Sequence, residues 1–321
     1  GTFALASGGG SGEQVAADAS VKGIKGLANI AIDSGTFTID AADDAIHSNG
    51  NIVINDGSFA LRTGDDGIHA DATVTINGGE IDISQSYEGI ESAVITINDG
   101  NISIVSSDDG INVAGGVDGS GMMAGPGRGG RGGPGGMAGG ESSVYTGDYY
   151  LYINGGTILV DAAGDGLDAN GAIEMTGGLV IVNGPTEQMN GALDYDGTFN
   201  ISGGTFIAAG SAGMAQAPGT GSTQNSVLIN LSGTLPGGTL LNIQDESGTN
   251  VMTFVPSKQY QSIVFSSPEL MTGSEYTLYY GGSATGTETG GLYVDGTYSP
   301  GTEYITFTVS SVTTIIGGGF R

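Results

Sequence analysis

The 321-residue chain contains no cysteine, no tryptophan, few basic residues and no long apolar run. The lack of cysteine excludes disulfide bonds and thiolate metal sites. The lack of about 18 consecutive apolar residues excludes a membrane-spanning helix. Seven Lys and Arg residues face 34 acidic ones, for a net charge of −27. Because nucleic acids and anionic membranes attract basic surfaces, we expect neither as a partner. The charge instead favours divalent cations.

The chain is rich in glycine, with 63 residues, and one short phrase returns in it at a nearly fixed spacing. The second acid of the phrase lies at positions 44, 66, 88 and 109, so the steps are 22, 22 and 21 residues. A period in this range with glycine at the corners indicates a stacked solenoid. The phrase reads Asp43-Asp44-Ala45-Ile46-His47, Asp65-Asp66-Gly67-Ile68-His69, Glu88-Gly89-Ile90-Glu91 and Asp108-Asp109-Gly110-Ile111-Asn112, and it returns as Asp165-Gly166-Leu167-Asp168.

Each period also holds two alternating apolar segments around a polar turn. In one coil these are residues 52–54, the turn Asp56-Gly57 and residues 59–61. Alternation with a period of two predicts β-strands, and stacked coils place Ile and Val in continuous ladders inside the tube. We therefore predict an all-β protein that contains a parallel β-helix, a solenoid of about 22-residue coils.

The pattern changes along the chain and predicts several segments. We predict a flexible lead-in over residues 1–20, which lacks the basic start of a signal peptide, and a parallel β-helix over residues 21–214. The glycine-rich residues 115–147 are predicted as a loop inserted into the helix. A linker over residues 215–225 precedes a small antiparallel, β-sandwich-like domain over residues 226–316, where alternation becomes rich in Thr and Tyr.

The repeated acids create an electrostatic problem in such a stack. Coils about 4.8 Å apart bring like charges to distances where each pair repels by about 3 kcal/mol, even at an effective dielectric of about 20. The carboxylates must be protonated, point into water or bind cations. Turn chemistry explains single Asp-Gly pairs such as Asp56-Gly57, but it explains poorly why doubled acids recur at one register. We therefore predict Ca²⁺ ligands among Asp43, Asp44, Asp65, Asp66, Glu88, Glu91, Asp108, Asp109, Asp165 and Asp168.

The order of the coils, DDAIHS, DDGIHA, EGIES, DDGINVAGG and GDGLDANG, resembles a family of bacterial surface proteins described as carbohydrate-binding domains. Members have a right-handed parallel β-helix related in shape to polysaccharide lyase family 9. The resemblance covers roughly residues 20–214, and the C-terminal segment resembles the domain that follows the helix in many members. It implies calcium binding and binding of plant cell-wall polysaccharides, notably polygalacturonate and cellulose. In the lyases a DDxxD phrase and a neighbouring Asp hold calcium; Glu88 and Glu91, and Asp165 and Asp168, keep acids at both ends of that spacing.

Five further residues are candidates for contact with a sugar. His47 and His69 are expected to stack one coil apart, where each would hydrogen-bond a carboxylate or a sugar. As zinc or iron ligands they would need a third partner, for which Glu91 is placed suitably. Because tryptophan is absent, stacking on a sugar ring would fall to tyrosine. The five candidates are Lys25, His47, Arg62, His69 and Asn112.

The expected function is non-catalytic, calcium-dependent binding of a polysaccharide by a secreted or surface-attached protein whose signal or anchor is not in this chain. One alternative is a calcium-dependent polyuronate lyase, which needs a base beside the metal. Lys22, Lys25 and Arg62 are the few candidates for that base. Another alternative is a structural adhesin in which calcium stiffens the rod and no sugar binds.

Overall fold

The computed structural model describes residues 1–14, 19–114 and 148–317. Within these segments the chain forms β-strands and turns and contains no helix, so no described helix is long and apolar enough to cross a membrane. The predicted glycine-rich loop, 115–147, lies outside the described residues. A β-solenoid of about seven turns is followed by further, mainly antiparallel sheets, which confirms the predicted fold class.

Twenty strands build the solenoid. They are β1 (Thr2–Ser7), β2 (Ile24–Gly26), β3 (Asn29–Ile32), β4 (Thr36–Ala41), β5 (Ile46–Ser48), β6 (Asn51–Ile54), β7 (Ser58–Thr63), β8 (Ile68–Ile76), β9 (Glu80–Ser86), β10 (Ile90–Ile97), β11 (Asn101–Ser106), β12 (Ile111–Val113), β13 (Tyr150–Ile153), β14 (Thr157–Ala162), β15 (Leu167–Ala169), β16 (Ala172–Met175), β17 (Leu179–Asn183), β18 (Leu193–Tyr195), β19 (Phe199–Ile201) and β20 (Thr205–Gly210).

The coils stack in parallel, and each residue lies beside its counterpart one period away. The first sheet runs β1-β4-β7-β9-β11-β14-β17-β20 through the coils, and the second sheet takes the strands that follow each phrase. In the first sheet Phe37 pairs with Phe59, and Ile39 pairs with Leu61. Inward positions are therefore filled by ladders of fully buried Ile, Val, Leu and Phe, because alternate residues of a strand share one face.

A ladder of asparagines runs along one turn and was not anticipated. The amide of Asn77 donates to Asn55, that of Asn98 donates to Asn77, and that of Asn154 donates to Asn98, each at 2.8 Å. Gly79 ends the turn that starts at Asn77, and its φ of 104° lies in the region that favours glycine. The turn sequence Asn-x-Gly thus supplies both a coil-to-coil hydrogen bond and the reversal of the chain.

The stack begins earlier than the sequence pattern predicted. Residues 1–20 were expected to form a flexible lead-in, but β1 pairs with β4 over all six of its residues. The ring of Phe3 stacks on Phe37 with centroids 4.9 Å apart. The signal lay in the alternation of residues 2–7, TFALAS, which matches SFALRT in β7. The repeated acidic phrase does not precede this strand in the sequence, so the repeat pattern did not predict it.

Eleven strands follow the solenoid. They are β21 (Ser226–Leu235), β22 (Leu241–Asp245), β23 (Asn250–Phe254), β24 (Tyr260–Ser266), β25 (Glu275–Tyr280), β26 (Ser283–Ala284), β27 (Thr287–Thr289), β28 (Leu292–Val294), β29 (Tyr298–Ser299), β30 (Thr302–Thr308) and β31 (Thr313–Ile316). Six of them form a separate sheet in the order β27-β28-β23-β22-β25-β30, and β26 pairs with β29.

The C-terminal strands are continuous with the solenoid. Strand β24 pairs antiparallel with β20, so the first sheet extends through β24, β21 and β31. A second apolar core joins outward-facing Ile181 and Ile207 of the solenoid to Phe254 and Phe265. The segment predicted as a linker, 215–225, packs on the last coil, since its backbone donates hydrogen bonds to the carbonyl oxygens of the last strand of the second sheet, β19. These contacts cover the end of the stack.

In the fourth phrase, space requires a glycine at the third position, Gly110. A Cβ on Gly110 would collide with Val160 Cγ1 and with the carbonyl oxygen of Gly166 in the next coil. We expect Gly110→Ala to lower the free energy of unfolding by about 1–3 kcal/mol, the range for overpacking a core. Denaturant unfolding of the purified protein measures the change. Gly233→Ala, where an added Cβ meets open space, is the control and should shift stability by under about 0.5 kcal/mol. Equal stability of the two variants would contradict this packing argument.

Candidate functional site

The parallel register gathers the phrases into two rows of polar side chains. The acid ladder consists of the second acid of each phrase: Asp44, Asp66, Glu88, Asp109 and Asp165. The strand ladder consists of the residue that follows each buried Ile or Leu at the start of the second sheet. Its members pair in the order Lys25, His47, His69, Glu91, Asn112, Asp168 and Asp194. Most of the residues predicted from the sequence therefore do lie together.

Members of the acid ladder hold the coils to each other. One carboxylate oxygen of Asp44 accepts the backbone N–H of Asp66 at 3.2 Å, and Asp66 accepts that of Glu88 at 3.3 Å. Asp109 accepts the backbone N–H of Asp165 at 2.6 Å. A hydrogen bond from the backbone of the next coil thus accounts for one oxygen of each of these carboxylates. The second oxygen remains for another partner.

A lysine neutralises the first coils of the acid ladder. Lys22 Nζ lies 2.8 Å from Asp43 Oδ1 and 2.7 Å from Asp44 Oδ2, and its side chain is 4% exposed. Burial alone would raise the pKa of Asp44, but the His47 hydrogen bond and the Lys22 charge bring it below its ordinary value. Lys22 lies one period of 22 residues before Asp44, a spacing that offered the signal for this ion pair. Asp43 and Asp44 therefore already share a cation supplied by the chain.

The two histidines lie one above the other in successive coils, as the sequence predicted. Their ring centroids are 5.0 Å apart and their planes are tilted by 57°. His47 Nδ1 lies 2.7 Å from Asp44 Oδ2. His69 Nδ1 lies 3.1 Å from Asp66 Oδ2 and 3.2 Å from Glu91 Oε2. Both rings are 2% exposed. Neither ring is an open surface for a sugar, because carboxylates enclose them.

Beyond Glu91 the site consists of oxygen ligands. Glu88 Oε2 accepts a hydrogen bond from Asn112 Nδ2 at 2.8 Å, while Asn112 Oδ1 is buried without a hydrogen-bond partner. In the next coils Asp109, Asp165 and Asp168 bring one carboxylate oxygen each within 4.8 Å of the others. Two ligands of one Ca²⁺ at about 2.3–2.6 Å lie at most about 5 Å apart. These three acids therefore fit a single calcium ion.

Burial and mutual repulsion shift the titration of these carboxyls. Burial, with the charges of Asp66 and Asp44, raises the pKa of Glu91 to about 9. Burial, with the charge of Asp108 foremost, raises the pKa of Asp109 to about 9. The same causes raise the pKa of Asp66 and of Glu88 well above their ordinary values.

The pKa values of Asp165 and Asp168 are raised less. Burial raises the pKa of Asp165 to about 6, against a hydrogen bond from Gly191 that lowers it. Burial and the charge of Asp165 raise the pKa of Asp168 to about 7. Without a cation, several ladder carboxyls therefore carry protons at neutral pH.

The remaining predicted residues lie at the margin or elsewhere. Lys25 is in register with the histidines, but its ammonium donates to Ser20 Oγ at 2.8 Å in an exposed position. Arg62 projects from the first sheet and donates to Gln85 Oε1 at 2.8 Å, so the structure does not bring it to the ladders. Asp108 is hydrogen-bonded to the hydroxyl of Tyr87, whose pKa rises as a result. Asp65 is half-buried.

We predict that the chelated protein loses stability as pH rises. Carboxyls whose folded-state pKa is raised hold protons that the unfolded chain releases near about pH 4. Their stabilisation is present below that pH and is lost as pH rises through about 6 to about 9. Denaturant unfolding at about pH 5 and about pH 8 measures this, with each titrating group contributing at most about 1.4 kcal/mol per pH unit. Asp109→Asn, which cannot ionise, should flatten the slope. A chelated protein more stable at about pH 8 would contradict the raised pKa values.

Comparison with known proteins gives one match. The model of a family described as "carbohydrate-binding domain-containing protein" matches residues 1–67 and 65–110. No curated protein and no solved structure matches the chain. The N-terminal coils, including β1, the two histidines and the phrases up to Asp109, are thus similar to a family of carbohydrate-binding proteins, which suggests a polysaccharide as the partner.

Proposed function

We propose that the protein binds an acidic polysaccharide without cleaving it, through calcium held by the Asp109, Asp165 and Asp168 cluster. The observation that carries this proposal is the convergence of three carboxylate oxygens within 4.8 Å. Asn112, whose Oδ1 is buried without a hydrogen-bond partner, pairs in register with Asp168 of this cluster. Carboxylate and amide oxygens are the ligands that calcium prefers. The similarity of residues 1–110 to carbohydrate-binding proteins supports the polysaccharide.

Charge explains why calcium would be required. A chain with a net charge of −27 repels a polyuronate such as polygalacturonate. A cation in the cluster satisfies the protein's carboxylates and keeps coordination positions for the sugar's carboxylate, since calcium takes 6–8 oxygen ligands. Three carboxylates and an amide leave room for such ligands. A neutral glycan such as cellulose would gain less from this bridge.

The geometry gives the lyase alternative no specific support. A lyase needs a base next to the metal. Among the described residues, Lys22 Nζ is occupied by Asp43 and Asp44, and Lys25 Nζ bonds to Ser20. Arg62 lies on the other sheet. We therefore propose a non-catalytic binder rather than a lyase, and we propose separately that it is secreted or attached to a cell surface.

Retention on insoluble polygalacturonate tests the proposal. We expect the protein to be retained with calcium and released by chelator, and Asp168→Asn to lose most of this retention. Asp99→Asn removes the same charge from an exposed turn, where Asp99 caps Gly100, and should behave as wild type. Retention on cellulose, measured in parallel, compares a neutral glycan with the acidic one.

The other functions give different results in the same assay. Release of unsaturated uronate, seen as ultraviolet absorbance, would replace the binder with a lyase. Stabilisation by calcium without retention on any glycan would favour the structural adhesin. Retention that is insensitive to chelator and to Asp168→Asn would refute the calcium bridge.

A further inference from the structure

The strand ladder changes its chemistry along the stack, from lysine and histidine at one end to acids at the other. His47 and His69 are its only imidazoles, and the chain has no others. Both are buried next to carboxylates. Buried imidazole beside carboxylate is a ligand set for zinc and similar transition metals, whereas calcium takes oxygen ligands alone.

The surroundings of the two histidines differ in charge. Asp44 Oδ2, the partner of His47, also receives Lys22 Nζ at 2.7 Å. An ammonium so close to Asp44 disfavours a second cation there. His69 Nδ1 lies 3.9 Å from the same Asp44 oxygen, but its nearer carboxylates are those of Asp66 and Glu91.

The contacts of His69 Nδ1 have the spacing of a metal polyhedron. The nitrogen lies 3.1 Å from Asp66 Oδ2 and 3.2 Å from Glu91 Oε2. Ligands at about 2.0–2.2 Å from a tetrahedral zinc are about 3.3–3.6 Å apart, so a shift of a few tenths of an ångström would admit the ion. The other oxygen of Asp66 accepts the Glu88 backbone N–H, which holds this carboxylate in place.

A second observation lies behind the ring. Asp71 Oδ1 is buried and has no hydrogen-bond partner, and it lies 3.6 Å from His69 Nε2. A histidine that binds metal through one nitrogen commonly donates its other N–H to a carboxylate. With metal on Nδ1, the ring proton sits on Nε2 and faces Asp71 Oδ1. At 3.6 Å the two atoms are slightly beyond hydrogen-bond distance, so a small rotation of the ring would give this oxygen a partner.

We propose that His69 Nδ1, Asp66 and Glu91 bind a zinc-class dication at a site separate from the calcium cluster, with Asp71 orienting the ring. Three protein ligands leave a fourth position for water or a ligand from a sugar. The competing explanation is that His69 is a doubly protonated imidazolium between Asp66, Glu91 and Asp71, so that the ring itself is the cation. That explanation predicts no metal binding.

Zinc titration by calorimetry on the chelator-stripped protein, in buffer with excess calcium, tests the site. We expect one zinc ion per chain, and Co²⁺ in its place should give the visible absorption of a tetrahedral N/O site. His69→Asn should weaken zinc binding by more than about tenfold, and Asp71→Asn by about tenfold. Circular dichroism checks that each variant remains folded.

His47→Asn is the matched control, because His47 has the same burial and an equivalent carboxylate one coil away. It should leave the zinc affinity unchanged. Absence of zinc binding in wild type would favour the imidazolium and overturn the proposal. Equal weakening by His47→Asn and His69→Asn, or no weakening by His69→Asn, would overturn the ligand assignment. Asp168→Asn, which lies outside this site, should retain zinc binding, so the proposal stands or falls separately from the calcium bridge.

Discussion

The constraint on which this structure depends is that each residue of a coil stacks on its own counterpart in the next. The consequence differs with the side chain. Stacked Ile and Phe bury each other, as Phe37 and Phe59 do with rings 4.9 Å apart, and stacked asparagines hydrogen-bond in a row. Stacked acids repel, and burial, as at Asp44 and Asp66, reduces the screening of their charges. The negative charge of the acid ladder is therefore the feature of the fold that must be compensated. The residues around the ladder differ from coil to coil according to how that charge is balanced.

The groups that balance the charge of the acid ladder change along the solenoid. Lys22 pairs with Asp43 and Asp44 in the first coils, and His69 lies between Asp66 and Glu91 in the next. From Glu88 onward the described structure offers backbone N–H groups and one amide, and no basic side chain. Protonation then removes the negative charge of these carboxyls, because burial raises their pKa, to about 9 for Asp109. A proton on such a buried carboxyl competes only weakly with a divalent ion for the same oxygen. The metal binding that we propose would use the same residues that make the coils repeat.

The sequence allowed much of this to be predicted, because a period of about 22 residues fixes which side chains stack. The pairing of His47 with His69 follows from spacing alone. The gathering of Asp109, Asp165 and Asp168 does not, because Asp109 and Asp165 are 56 residues apart. Other features depend on the orientation of side chains and backbone groups, which the spacing in the sequence does not specify. The hydrogen bonds that Asp66 and Asp109 accept from the backbone of the next coil require the geometry of that backbone, and the Asp71 contact requires the orientation of the His69 ring. Arg62, predicted as a sugar contact, lies apart from the ladders because its strand belongs to the first sheet. The joining of β24 to β20 depends on long-range packing and left no local pattern.

The most direct test of the account is to count the protons released when calcium binds. Calorimetric titration of the chelated protein near pH 7, in two buffers of different ionisation enthalpy, measures that number. The account predicts that calcium binds and that protons leave as it does, because the pKa values of Asp109 and Asp168, about 9 and about 7, keep protons on the empty cluster. The apparent binding enthalpy should then differ between the buffers. Binding with identical enthalpy in both buffers would mean that the acids are already ionised, and absence of binding would mean that protons alone balance the ladder.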